Sequence, residues 1–253
     1  MVRTYGLPPY RAALIHGGPG AKGSLGCVGS GLGNGIGILE PMQSAHTVHG
    51  LLTELHGQLL GSDIRPLTLI GHSFGAMLAL LYASRHPEVV EKLVLADCPP
   101  LVEGYEPLLH KARCLRLSPE LQAEYEALTA KEDLSAEETE RLLCITEATD
   151  TFEKDPQYTP NTDEWDMTAY SELWGEVCNM RRGGVFLNAA QRVEQRIFVL
   201  HGEHDPHPLK GVTLPLADAH CDFVTCVLPM CGHSPYTELH AKDAFLSILT
   251  KII

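Results

Sequence analysis

Four short stretches of this 253-residue chain bring together residues able to do nucleophilic chemistry: His16-Gly17-Gly18-Pro19-Gly20, Gly71-His72-Ser73-Phe74-Gly75, His201-Gly202-Glu203-His204-Asp205 and Cys231-Gly232-His233-Ser234-Pro235. Ser73 stands between two glycines where an apolar strand pattern, LTLIG, turns into an apolar helix pattern. In such an elbow the hydroxyl projects from a strained turn, and side chains at 71 and 75 would collide with the neighbouring strand and helix. The helix start beneath it offers free N–H groups and a positive dipole end, both of which favour developing negative charge. Taken alone, the same serine reads equally well as a helix cap. The His16–Gly20 turn follows a buried strand and is nearly free of side chains, as a loop must be to bring a backbone N–H close to an oxyanion; alone it is an ordinary glycine turn. Asp205 lies just past a strand end, where a carboxylate can orient a histidine and stabilise its imidazolium. His233 lies in the loop after the last strand. Ser73, Asp205 and His233 thus form an ordered set, each following a strand.

Other chemistries fit less well. The phosphate-loop pattern fails because Lys22 follows Ala21 rather than a glycine, and residues 29–37 fail GxGxxG because Asn34 takes the last glycine position. His201, His204 and His207 recur every third residue, as do His46 and His49, but on a loop that spacing does not bring three rings onto one metal. His72 adjoins Ser73, yet adjacent side chains in a tight turn diverge, so it reads as a packing or supporting residue. Eight scattered cysteines without a CxxC pair read as reduced thiols. We expect no metal and no cofactor.

The elements that must position these residues are legible as short β-branched runs: AALIH (12–16), GIGIL (35–39), LTLIG (67–71), KLVLAD (92–97), RIFVLH (196–201) and FVTCVL (223–228). They are continuous rather than alternating, which suits strands buried on both faces of a parallel sheet. Helical patterns at 46–61, 74–86 and 237–250 alternate with them, predicting a parallel sheet covered by helices on both faces. Residues 101–192 break the rhythm with helices alone. One starts at Ser118-Pro119, one at the capping box Ser135-x-x-Glu138, and one covers about 163–180. This predicts a core made of 1–100 and 193–253, interrupted by a helical insertion at 101–192. Ser234-Pro235 is expected to cap the closing helix. The stretch 23–37 stands out only as glycine-rich.

Composition narrows the partners. A formal net charge of -13 disfavours nucleic acid and anionic membrane surfaces. No apolar run approaches the ~18 residues of a transmembrane helix. The N-terminal residues lack the apolar core of a signal peptide. The expectation is a soluble, cytoplasmic protein.

Taken jointly and in order, HGGPG, GHSFG, HGEHD and CGHSP resemble the α/β-hydrolases over nearly the whole chain. The resemblance implies Ser73 as nucleophile, Asp205 as acid and His233 as general base. It implies oxyanion donors from the backbone N–H groups of Phe74 and Gly18, and a cap formed by the insertion. It implies no cofactor and a small-molecule acyl substrate, best a carboxylic ester because esters need least leaving-group assistance. HGGPG resembles proline iminopeptidases, although those usually carry a glycine where His72 stands. Peptidase action would need an anchor for the substrate amine, for which Glu164 and Asp166 are candidates. A ligand-binding protein of the same fold with little turnover is a further alternative. Three departures matter. Few residues precede the first matching strand, so the sheet should be trimmed at its N-terminal edge. The loop after the second matching strand reads GILEPMQSAH, with Glu40 and Ser44 outside the family pattern. Asp97, closing KLVLAD, competes with Asp205 for the role of acid.

Overall fold

The computed structural model describes residues 1–61, 66–131, 133–159 and 165–253. Seven strands form one sheet: β1 (Val2–Tyr5), β2 (Tyr10–Ile15), β3 (Gly37–Pro41), β4 (Leu67–His72), β5 (Val90–Ala96), β6 (Arg196–Gly202) and β7 (Phe223–Leu228). Their spatial order is β1-β3-β2-β4-β5-β6-β7. Every pairing is parallel except that of β1 with β3. All six strands read from the sequence are present. The four-residue β1, which carries too little pattern to be read as a strand, supplies the single antiparallel edge.

The strands are apolar throughout because both faces are covered. Along β2, Ala13 and Ile15 face one core cluster while Ala12 and Leu14 face the other. Along β5, Leu93 and Leu95 alternate with Val94 and Ala96 in the same way. The larger cluster takes in the apolar faces of helices α2 (Val48–Leu60) and α3 (Phe74–Ala83), and the smaller takes in α1 (Gly26–Leu32) and α10 (Lys242–Ile252). Strand β7 departs from the expectation of two buried faces. Among the described residues it has no neighbour beyond it, and Val224 and Val227 are exposed.

Between β5 and β6 lie α4 (Glu106–Cys114), α5 (Pro119–Thr129), α6 (Ala136–Asp150), α7 (Met167–Arg182) and α8 (Val185–Ala190). Ser118 caps α5, and Ser135 with Glu138 closes the capping box of α6. Tyr125, Leu128 and Ile145 of α5 and α6 form a small cluster of their own. The buried residues of α7 and α8, Leu173, Val177 and Phe186 among them, join the larger core instead. Helix α9 (Lys210–Asp218) follows β6.

One local feature goes beyond the sequence reading and one differs from it. The glycine-rich segment contains α1. There Gly29 serves close packing, since a Cβ on it would lie 2.4 Å from the Tyr5 ring. Ser234-Pro235 does not cap the closing helix. It opens a single 3-10 turn, Pro235–Thr237, with no side-chain cap, and α10 starts only at Lys242. The chain must first turn Glu238 inward, where its carboxylate has three backbone partners.

Candidate active site

The site is built at the ends of β4, β5 and β6 and in the loop after β7. Ser73 follows β4 with φ 53 and ψ −125, a left-handed conformation that costs a non-glycine residue strain energy. Tight packing fixes it. A Cβ on Gly75 would lie 2.1 Å from the Ile15 carbonyl oxygen, and one on Gly71 would lie 2.3 Å from the Gly75 carbonyl oxygen. The glycines are therefore required for close approach of the elbow to β2 and to its own helix. The Ser73 N–H donates to Ala96 O (2.9 Å), tying the turn to β5.

The three ordered residues meet. The Ser73 hydroxyl donates to His233 Nε2 (2.9 Å), and His233 Nδ1–H donates to Asp205 Oδ2 (2.9 Å). Burial alone would depress the His233 pKa, but the Asp205 carboxylate overrides it and raises the value above the usual 6.5. Burial would push Asp205 up, yet the imidazoles of His233 and His207 together hold it well below the usual carboxylate range. The result is a buried carboxylate facing a histidine ready to accept a proton.

Asp97, the competing acid, is fully buried at φ 45 and faces elsewhere. Its Oδ1 accepts the Gly202 N–H (2.7 Å) and lies 3.9 Å from His201 Nδ1, while its Oδ2 has no hydrogen-bond partner among the described residues. Burial pushes its pKa well above the usual range, and the neighbouring Asp205 charge adds to this. Asp97 thus lies behind Asp205, with a carboxyl harder to ionise than an ordinary aspartate.

Three residues support the line; sequence reasoning missed His207 and Glu238 and read His72 as a packing or supporting residue. His207 places a second imidazole on the acid: its Nδ1–H donates to Asp205 Oδ1 (2.7 Å), as does its backbone N–H (2.9 Å). The HxxHxxH spacing signalled it but was weighed only for metal binding. His72, beside the serine, donates Nε2–H to the His233 carbonyl (2.7 Å); burial lowers its pKa to about 3, so it stays neutral and holds the loop. Glu238 accepts from the N–H groups of Gly232 (2.9 Å), Phe152 (2.9 Å) and Glu153 (2.7 Å), and His233 N–H donates to Asp150 O (2.7 Å). These bonds knot the histidine loop to the end of α6. No local pattern around Glu238 could have signalled this.

Across from the serine runs the His16–Gly20 turn. A Cβ on Gly17 would lie 3.1 Å from the Ser73 Cβ, so this turn passes against the elbow. Gly18 has φ +108, and neither its N–H nor that of Phe74 has an acceptor among the described residues. Start-of-helix geometry leaves the Phe74 N–H without an intrahelical partner. Trp165 Nε1–H donates to Pro19 O (2.8 Å), and Asp166 N–H donates to Gly20 O (3.1 Å), bracing the turn from α7. Asp166 is itself occupied: it caps Ala169 N–H (3.0 Å) and lies 3.7 Å from Lys22 and 3.4 Å from His46. Glu164 lies outside the described residues. On the wall that departs from the family pattern, Glu40 is fully buried and accepts from the Tyr5 hydroxyl, while Ser44 bonds Glu54.

Among the described residues three groups place ligand atoms within 4.8 Å of one another: Asp205/His207/His233, Asp97/His201/Asp205 and His110/Cys114/Glu126. In the first, both Nδ1 atoms are spent on the carboxylate. No helix among the described residues is long and apolar enough to cross a membrane.

A parallel sheet covered on both faces, with serine, histidine and aspartate in one hydrogen-bonded line at its carboxyl edge, defines the α/β-hydrolase class. The model of the alpha/beta hydrolase family matches residues 15–247, and the chain belongs to that family. Among solved structures, VinJ superposes with a TM-score of 0.73 at 21% identity, covering 99% of this chain and 93% of that one. The thioesterase domain from the curacin biosynthetic pathway gives 0.62 at 17% identity, over 99% and 93% of the two chains. The proline iminopeptidase of Mycobacterium smegmatis gives 0.64 at 16% identity, also over 99% and 93%. A comparison with curated protein sequences finds no match.

Proposed function

We propose that this protein is a serine hydrolase that cleaves a small acyl substrate, best a carboxylic ester, through a covalent acyl-enzyme. The observation that carries the reading is the continuous line from the Ser73 hydroxyl through His233 to the Asp205 carboxylate, set on a strained elbow. In this reading His233 Nε2 takes the hydroxyl proton as Ser73 Oγ attacks the substrate carbonyl. Asp205 stabilises the imidazolium that forms. The N–H groups of Phe74 and Gly18 receive the oxyanion, helped by the N-terminal end of α3. His233 then returns the proton to the leaving group, and the same residue activates water to release the acyl group.

The insertion 101–192 is the cap in this reading. Helices α4 to α6, with their own small cluster, form the part over the site, and α7 and α8 root it in the core. Trp165, Tyr170 and Trp174 are proposed as walls of the acyl pocket, Tyr170 and Trp174 being stacked with centroids 6.2 Å apart. An aminopeptidase reading gains no support from Asp166, whose carboxylate is engaged by a helix cap and two basic neighbours.

A fluorophosphonate probe and a panel of p-nitrophenyl esters and aminoacyl anilides test the proposal. One probe adduct on the Ser73 peptide, ester turnover and loss of both in Ser73→Ala are expected. Labelling of another serine, or a folded protein that turns over neither substrate class, overturns it.

A further inference from the structure

We propose that His207 is a positioning residue for the acid: its two N–H groups hold the Asp205 carboxylate in one orientation and set the proton affinity of His233. The inference rests on the triad reading above and assigns a role that the triad alone does not need.

The geometry is specific. His207 follows Asp205 by two residues, with only Pro206 between them. Both of its donors converge on Oδ1, at 2.7 Å from the ring and 2.9 Å from the backbone, leaving Oδ2 to His233 at 2.9 Å. A carboxylate so divided cannot rotate without breaking a bond to a buried group. The His207 backbone is tied down, since its carbonyl accepts from His201 Nε2–H (3.0 Å), and its ring lies against the His233 ring, with centroids 4.4 Å apart and 34° between planes. A purely apolar filler would pack there without donating. Two imidazoles flank one carboxylate, yet only the one that faces Ser73 has a proton-transfer partner.

The charge states follow from the surroundings. Facing the pair are His72 at the end of β4, Asp97 after β5 and His201 on β6, with Arg113 on α4 and Asp150 at the end of α6. Burial holds His207 neutral, with its pKa below the usual value although Asp205 pulls it up. A neutral neighbour donates to the carboxylate without opposing the positive charge that His233 acquires. Removing that donor leaves Asp205 more basic, so the proton on His233 is held more tightly and its pKa rises.

Two variants separate donation from packing. His207→Leu fills the space without a donor. His207→Asn places an amide nitrogen at the same distance along the side chain as Nδ1. Proton NMR of the histidines in folded protein reads the His233 titration without turnover, so this arm decides the proposal even if the ester-hydrolase reading fails. In His207→Leu the His233 pKa is expected to rise by about half to one pH unit, the acid limb of kcat/KM to move with it, and kcat to fall about ten-fold. In His207→Asn both values should stay within about 0.3 of wild type. An unshifted His233 in folded His207→Leu, or equal shifts in both variants, overturns the proposal. If circular dichroism shows that His207→Leu does not fold, His207→Phe, a flat ring that likewise carries no donor, takes its place with the same expected shift, and an unshifted His233 there overturns the proposal equally.

Discussion

Replacing either of the two buried aspartates by asparagine is expected to give very different enzymes. In Asp205→Asn the single remaining oxygen has two possible places. The position of Oδ1 receives two donors, from the ring and the backbone of His207, whereas that of Oδ2 receives one, from His233. The oxygen therefore settles toward His207, and the amide NH2 turns to His233. There it can only donate, so His233 must present an unprotonated Nδ1 and carry its proton on Nε2. A histidine in that tautomer cannot accept the Ser73 proton. In a comparable triad the same change lowers kcat about ten-thousand-fold, equivalent to about 5.5 kcal/mol of transition-state stabilisation. The loss here should be at least about a hundred-fold. Asp97→Asn presents the opposite case. Burial holds its carboxyl well above the usual range, its Oδ1 accepts the Gly202 N–H as an amide oxygen also can, and its φ of 45 is one that asparagine tolerates. Its kcat should fall by less than about five-fold, since no bond to His233 is lost. The assay is kcat and KM on the best p-nitrophenyl ester, with circular dichroism to show that both variants fold. A crippled Asp97→Asn beside an active Asp205→Asn would refute the assignment and place the acid after β5.

Two further outcomes follow from the geometry. His233 must be neutral to act as base and its pKa lies above 6.5, so kcat/KM should fall as pH drops through a limb above that value; a limb below 6.5 would contradict the Asp205 contact. In Gly75→Ala the new Cβ would lie 2.1 Å from the Ile15 carbonyl oxygen, and the backbone has no room to give; a loss of more than about 3 kcal/mol, seen as a melting temperature lower by roughly 10 °C, is expected, and an unchanged melting curve would show that the elbow is not close-packed.

The sequence by itself determined the sheet and the order of Ser73, Asp205 and His233 after their strands. Five of the six β-branched runs were legible because a strand buried on both faces needs apolar residues at every position, and that demand is written locally; the sixth, β7, is apolar although Val224 and Val227 are exposed. GHSFG was legible for the same reason: a Cβ on Gly71 or Gly75 would lie 2.3 or 2.1 Å from a carbonyl oxygen, and the exclusion leaves a glycine in the sequence. The capping signals at Ser118 and Ser135 involve partners three residues away and so were equally visible. What the sequence left open depended on contacts between distant segments. Asp97 and Asp205 both end strands, and only their packing shows that one faces His233 while the other turns to the backbone of Gly202. The glycines around 29 stood out only as a biased stretch because their partner, Tyr5, lies on a strand too short to carry a pattern. Glu238 looked like part of a helix, yet three N–H groups from segments far apart in the chain draw its carboxylate inward and delay the helix to Lys242. Local residue types record which backbone conformations are possible; which charge meets which partner is decided where the chain folds back on itself, because desolvation and hydrogen bonding depend on neighbours in space and not along the sequence.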